Sequence, residues 1–301
     1  MRFVAKFKSL QRDWVSWVPT FWLGIFFLIP FLVVLKISLS QATIAMPPYL
    51  PIFQWVEGTL LEIRLDFANY LFLIDDPLYG AAYFESIRIA FISTIITLLI
   101  GYPMAYVIAT AKEPRRTLLL LLVILPFWTS FLLRVYAWIA ILKTNGLLNG
   151  LLTSIGLISE PLVILQTDLA VYIGIAYTYL PFMVLPLYAS LSKLDRTLIE
   201  ASEDLGATPW ISFLTVTLPL TIPGVIAGSL LVFVPAIGEF VIPALLGGND
   251  TLMIGKVLWN EFFANRDWPI ASAVAIIMLF VIVGPLMWLS RINSKTEEAA
   301  S

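Results

Sequence analysis

The 301-residue sequence contains no cysteine and no histidine. These absences exclude disulfides, thiolate nucleophiles, imidazole bases and the usual zinc ligands. Charged residues are also scarce, at 13%, whereas a soluble domain carries about 25%. We therefore predict no catalytic residues and no metal ligands in this chain.

The sequence is rich in hydrophobic residues. They make up 60% of the chain, and the mean hydropathy is +0.93, which is too high for a soluble core of this length. Runs of about 20 apolar residues are typical of membrane helices. The predicted spans are 15–39, 86–110, 117–142, 169–191, 218–246 and 269–291. The sequence thus predicts an all-α integral membrane protein with six transmembrane helices, a terminal segment 1–14 and a tail 292–301.

Basic residues near the predicted spans indicate how the chain is oriented. Lysines and arginines are enriched in cytoplasmic loops, and here most of them fall in segments that six spans would place on one side, with Arg64, Lys143, Lys256 and Arg266 on the other. The residues of the larger group are Arg2, Lys6, Lys8, Arg12, Lys112, Arg115, Arg116, Lys193, Arg196, Arg291 and Lys295. We therefore expect a multi-pass protein of the bacterial inner membrane with both termini in the cytoplasm.

The fourth loop, 192–217, contains signals for two short helices. Thr197 and Glu200 have the spacing of a capping box, which predicts a helix from about Leu198. Gly206 is suited to end that helix in a left-handed conformation. Thr208 can then cap a second helix, with proline at its first position. Two short angled helices would form a rigid knob on the cytoplasmic surface.

The residues of this loop resemble the EAA loop of ABC-importer permeases. Glu200, Ala201 and Ser202 are followed after three residues by Gly206, and after nine more by Val216-Thr217-Leu218-Pro219. The resemblance implies the type I ABC-importer permease fold. It also implies that Glu200, Ala201, Gly206, Leu218 and Pro219 couple the chain to an ATPase.

The resemblance extends over nearly the whole chain, to the polyamine-import permeases of the putrescine and spermidine systems. Within that family, we predict a nearer resemblance to the first membrane subunit of the putrescine system. The segments that carry it are 75–79, 121–149, 172–188, 235–248 and 253–273. It implies a heterodimer with a second permease, a pair of ATPase subunits that bind ATP and Mg²⁺, and a polyamine-binding protein in the periplasm. This chain itself has no cofactor and no phosphate-binding loop.

One acidic residue, Glu239, lies within a predicted span. A carboxylate in the bilayer costs about 2.5–3.5 kcal/mol on insertion scales, so it usually faces a cavity. A cation from outside is one partner for it, and a neighbouring helix or the second permease is another. Aromatic rings can bind ammonium groups, and we predict that the pathway includes Trp128, Tyr136, Tyr177 and Phe182. Membrane interfaces also concentrate such rings, so an ordinary interfacial role stays open.

Further charged residues have two interpretations each. Asp75, Asp76, Glu261 and Asp267 are candidates for contact with the binding protein, or they form ordinary loop interactions. Arg134, within the third span, is expected to extend towards the interface or to pair with a carboxylate.

The predicted function is ATP-driven import of putrescine or spermidine. Alternatives are an ABC permease for another small solute, a proton-coupled secondary transporter and an intramembrane enzyme. A secondary transporter would not need the fourth-loop pattern. An enzyme would need a catalytic constellation that the sequence does not show.

Overall fold

The computed structural model describes residues 17–56 and 60–300, so the predicted terminal segment 1–14 lies outside the described residues. In chain order the helices are α1 (Trp17–Ser38), α2 (Ala68–Asp75), α3 (Pro77–Thr110), α4 (Arg115–Ile124), α5 (Phe131–Leu142), α6 (Leu147–Ser154), α7 (Asp168–Leu191), α8 (Arg196–Asp204), α9 (Pro209–Ile237), α10 (Val241–Leu245), α11 (Ile254–Trp259) and α12 (Trp268–Ala300). A small antiparallel hairpin pairs β1 (Phe53–Val56) with β2 (Leu60–Ile63).

Five helical stretches in the described part are long and apolar enough to cross a membrane. They are α1, α3, the stretch Phe131–Ser154 that contains α5 and α6, α7 and α9. A sixth, shorter apolar stretch, Trp268–Gly284, lies within α12, which is consistent with the predicted count of six. The helical membrane fold is thus confirmed, and the hairpin is an addition that the sequence analysis missed.

The third predicted span, 117–142, is two helices rather than one. α4 ends at Ile124, and Pro126 lies in the 3₁₀ turn Leu125–Trp128 that follows it. Ser130 is extended, with ψ of 135°, and α5 begins at the next residue. Proline has no backbone N–H and clashes with the preceding turn, so it explains the break.

Chain contacts divide the protein into two compact units. Of the described residues, the first unit comprises 17–56, 60–80 and 258–300, and the second comprises 81–257. In the first unit, α1 and α2 both pack against α12. Asn69 of α2 donates to the carbonyl oxygens of Ser38 and Ser40, each at 2.9 Å, and so satisfies acceptors at the end of α1.

In the second unit, α7 and α9 form the most extensive helix pair. Glycines of α9 permit this close packing. A Cβ added at Gly224 would lie 2.6 Å from Cβ of Ser190, and one at Gly228 would lie 2.8 Å from Sδ of Met183. Small residues allow helices in membranes to approach closely, where dispersion rather than the hydrophobic effect holds them together. The pair supplies the rigid frame on which the candidate site is built.

Candidate functional site

The interior carboxylate of Glu239 lies at a break between two helices. The predicted continuous span 218–246 is wrong here, because α9 ends at Ile237 and α10 begins at Val241. Glu239 is 8% exposed, and its Oε1 accepts hydrogen bonds from the backbone N–H groups of Val241 (3.0 Å) and Ile242 (3.4 Å). The carboxylate therefore satisfies backbone donors that the break leaves without helical partners.

The second carboxylate oxygen of Glu239 is bound by a tyrosine of α7. Tyr179 Oη donates to Oε2 at 2.7 Å. The ring of Tyr179 lies 6.1 Å from that of Phe182, which in turn contacts Phe127 edge to face at 5.1 Å between centroids. The hydrogen bond to a neighbouring helix is therefore observed, and the binding of a cation by Glu239 stays a prediction. The carboxylate stands at one end of a row of three rings.

The chain that follows α10 returns to the same break. A Cβ at Gly255 would lie 2.7 Å from the carbonyl oxygen of Glu239 and would also contact that of Gly238, so only glycine fits at this position. The adjacent N–H of Ile254 donates to Oγ of the buried Ser86 at 2.7 Å. The break is therefore packed against the start of α11, which is itself fixed to α3.

A charged cluster joins α3 to the start of α7, and the sequence analysis did not find it. Arg88 donates from Nε to Glu85 (2.7 Å) and from Nη2 to Asp168 (2.6 Å). Thr251 donates to the other oxygen of Asp168 at 2.8 Å, so the cluster also fixes the loop before α11. The spacing of three between Glu85 and Arg88 on one helix could have revealed the first pair, but not the contact with α7.

The structure brings together only some of the predicted pathway rings. Phe182 belongs to the row beside Glu239, and Tyr177 packs edge-on against Trp138 with centroids 5.4 Å apart. Trp128 is 82% exposed and Tyr136 is also exposed, and within the described part of the chain neither contacts another ring. Tyr179, which reaches Glu239 directly, was missing from the predicted set.

The fourth loop forms the first predicted helix, but with a different N-cap. Asp195 Oδ1 accepts from the N–H of Thr197 at 3.0 Å, and α8 begins at once after Asp195. The predicted start near Leu198 and the capping box of Thr197 with Glu200 are therefore wrong. A short aspartate side chain two residues earlier already occupies the cap position.

The second half of the loop begins as predicted and then departs from the prediction. Gly206 has φ of +91° and ends α8, and Thr208 caps the next helix through a 3.4 Å bond from the N–H of Ile211. This helix is not short, because α9 continues through the π-helical turn Phe213–Thr217 into its membrane stretch. The knob is thus one short helix set against the base of a long one.

A hydroxyl pair and an exposed apolar tip characterise this knob. Ser202 of α8 and Ser212 of α9 share a hydrogen bond of 2.5 Å between their hydroxyl oxygens. Leu205 is 90% exposed, and Trp210 is also exposed. Of the predicted coupling residues, Glu200, Ala201, Gly206 and Pro219 are exposed, while Leu218 is half-buried. A pocket of about 200 Å³ beside Glu200 is lined by α3, α7 and α8.

Three of the four predicted contact residues for a binding protein have partners within the first unit. Glu261 accepts hydrogen bonds from Tyr79 (3.0 Å) and Asn265 (2.9 Å). Asp76 and Asp267 accept backbone N–H bonds at the starts of α3 and α12. Asp75 is exposed, and among the described residues no hydrogen bond or ion pair reaches its carboxylate. Asp75 is the one of the four that is open to another protein.

The structure combines several membrane-length helices with a buried carboxylate, Glu239, at a helix break beside aromatic rings. It also has an exposed knob formed by α8 and the base of α9. This combination is typical of a membrane transport subunit. Comparison with known families identifies it further. The chain belongs to the family of binding-protein-dependent transport system inner membrane components, whose model matches residues 12–295. This membership confirms the prediction of a multi-pass inner-membrane transport subunit rather than an enzyme.

Relatives with established names support the finer resemblance. The chain is 44% identical over 256 residues to the spermidine/putrescine transport system permease protein PotB of Haemophilus influenzae, covering 85% of this chain and 84% of that protein. It is 42% identical to PotB of Escherichia coli K12, over 75% of this chain and 82% of the relative. The sulfate transport system permease protein CysT of E. coli K12 is 31% identical, over 72% and 77%. The resemblance to polyamine permeases is confirmed, and the nearer match to the putrescine system stays a prediction.

Solved structures agree on the fold. A bacterial ABC transporter that imports the acidic polysaccharide alginate matches with a TM-score of 0.66 at 18% identity, over 97% of this chain and 99% of that one. A bacterial alginate ABC transporter in complex with an alginate pentasaccharide-bound periplasmic protein matches with a TM-score of 0.66 at 17% identity, over 96% of this chain and 97% of that one. The ABC-importer permease fold is therefore shown.

Proposed function

We propose that this chain is a permease subunit of an ATP-driven importer for putrescine or spermidine. The observation that carries the proposal is the 44% identity to PotB over 85% of the chain. A second permease would complete the pathway, and a periplasmic polyamine-binding protein would deliver the substrate. Both termini would lie in the cytoplasm, as the basic loops predict.

The site around Glu239 suits a polyamine in charge and in shape. A carboxylate oxygen can accept about two hydrogen bonds, so Oε2, which accepts one from Tyr179, keeps acceptor capacity, while Oε1 already accepts two from α10. Ammonium groups bind carboxylates and also the faces of aromatic rings, which Tyr179, Phe182 and Phe127 supply. Methylene segments pack on the same rings. Because Glu239 is nearly buried, access requires the helix break to move, which fits alternating exposure to the two sides.

Energy for that movement would come from a pair of ATPase subunits that hold ATP and Mg²⁺. The knob formed by α8 and the base of α9 is the surface for their docking, with Glu200, Ala201 and Gly206 exposed on it. Because α9 runs unbroken from the knob to Ile237, a displacement at its base reaches the break that holds Glu239. Movement of the ATPases can thus change the exposure of the carboxylate.

Uptake by the assembled transporter tests the proposed substrate. The chain would be co-expressed with its neighbouring permease and ATPase genes and reconstituted in proteoliposomes, with ATP on the ATPase side and the cognate binding protein on the other. We expect ATP-dependent uptake of labelled putrescine or spermidine that excess sulfate does not inhibit. Uptake of sulfate without uptake of either polyamine would contradict the proposal.

A further inference from the structure

Arg134 is a cation within the membrane helices that the mechanism above does not use. It lies in the first turn of α5, directly after the break in the third predicted span. Its Cζ lies 5.4 Å from the ring centre of Phe127 and 5.9 Å from that of Phe131. Both rings precede it, so the side chain points back towards the break and away from Lys143 at the other end of α5. The expected extension towards the interface is therefore not observed.

The guanidinium has no counter-charge in the described part of the chain. Nε and Nη1 of Arg134 are buried and have no hydrogen-bond partner, and the expected pairing with a carboxylate is not observed either. Glu239 binds Tyr179 and the amides of α10, Asp168 binds Arg88 and Thr251, and among the described residues neither carboxylate pairs with Arg134. Ring faces alone offset only about 0.5–2 kcal/mol of the cost of removing a cation from water.

The remaining nitrogen, Nη2, is not among the buried unpaired atoms, and Arg134 as a residue is only partly buried. The surface around it is apolar, and the described part of the chain leaves it uncovered: Leu132 and Leu133 of α5 are exposed, as are Trp128 and Tyr136. Hydrocarbon against such a surface would supply no acceptor for a charged donor. A protein surface that presents one carboxylate among apolar groups would pair with the guanidinium of Arg134 and would also pack against the apolar side chains around it.

We propose that Arg134 forms an intramembrane ion pair with a carboxylate of the second permease, which seats against the face around Trp128, Leu133 and Tyr136. This inference rests on the proposed pairing with a second permease. The row Arg134, Phe127, Phe182, Tyr179 and Glu239 then connects this interface to the carboxylate at the break. Arg134 specifies the register of the two subunits, while Glu239 stays available to the substrate.

Charge exchange tests the pairing. Arg134→Glu places two carboxylates together in a desolvated site, so it should lower ATP-driven uptake by the assembled transporter at least about tenfold. Each membrane-embedded Asp or Glu of the second permease would then be changed to Arg in turn in the Arg134→Glu background. One exchange should restore uptake to within about threefold of the wild type, because it recreates the pair in reverse. Lys143→Glu, a charge reversal at an exposed position at the opposite end of α5, should need no rescue.

The readout separates failure of this inference from failure of the proposed function. If the wild-type chain purifies without a second permease, both are wrong. If it purifies with one and imports polyamine, but no exchange rescues Arg134→Glu, only the ion pair is wrong. Retention of a phospholipid by the wild type and its loss in Arg134→Gln, detected by native mass spectrometry, would instead assign the site to a lipid phosphate and overturn the inference.

Discussion

Gly206, the joint that ends α8, allows a prediction whose magnitude follows from the structure. Its φ of +91° is a conformation that residues with a Cβ rarely adopt, yet an added Cβ would meet nothing within 4 Å. Gly206→Ala therefore costs conformational strain without a clash, about 1–2 kcal/mol. That lowers the equilibrium constant for this loop conformation by a factor of about 5–30. It should also weaken the 3.1 Å bond from the N–H of Ala207 to the carbonyl oxygen of Ser202, which closes the helix.

The assay is ATP-driven uptake per assembled transporter, together with recovery of the ATPase on purification. We expect Gly206→Ala to lower uptake by roughly tenfold, and Gly206→Asn to lower it less because asparagine tolerates positive φ better. Gly150→Ala is the matched control, since this helical glycine of α6 also has open space around it but no positive φ. Normal uptake by both Gly206→Ala and Gly206→Val would refute the role of the left-handed joint.

Three further predictions concern packing and polar contacts. Gly228→Val should reduce recovery of folded protein, because its Cβ alone would come within 2.8 Å of α7; fluorescence-detected size exclusion measures this, and wild-type recovery would contradict it. Ser202→Ala removes the hydroxyl bond to Ser212, and it should lower the melting temperature slightly, by the loss of about 0.5–1.5 kcal/mol, while uptake persists. Asp168→Asn should lower the free energy of unfolding by less than about 1 kcal/mol, because the side chains of Arg88 and Asp168 are 40% and 35% exposed and their ion pair is screened. A larger decrease, measured by thermal unfolding, would show that the ion pair is less screened than this exposure indicates.

Local signals in the sequence predicted the local structure of the knob well. Gly206, Thr208 and the proline after it act over three or four residues, and each takes the expected role. The wrong cap at Thr197 shows the limit of the same reasoning. Asp195 and Thr197 are both acceptable N-cap residues and lie two residues apart. Which of them caps α8 depends on the conformation of the short segment between α7 and α8.

The site at Glu239 was only half predictable. The position of Glu239 inside a long apolar segment identified it as a candidate site residue. Its partner Tyr179 lies 60 residues away in the sequence, and no periodic pattern connects the two. The helix break could be suspected from the nearby prolines, yet membrane helices such as α7 retain Pro181 and Pro186 without breaking. Packing of Gly255 against the carbonyl of Glu239 is a tertiary contact that the sequence did not reveal.

The central claim, that Glu239 receives the cationic substrate, is tested most directly by Glu239→Gln in the reconstituted transporter. Glutamine keeps the shape and an acceptor for the amides of α10, but it removes the charge. We predict that polyamine uptake falls at least about tenfold while assembly and ATP binding stay normal, since charge-assisted bonds are roughly twice as strong as neutral ones. Glu160→Gln, the same change at an exposed carboxylate, should leave uptake unchanged. Wild-type polyamine uptake by Glu239→Gln would contradict the account.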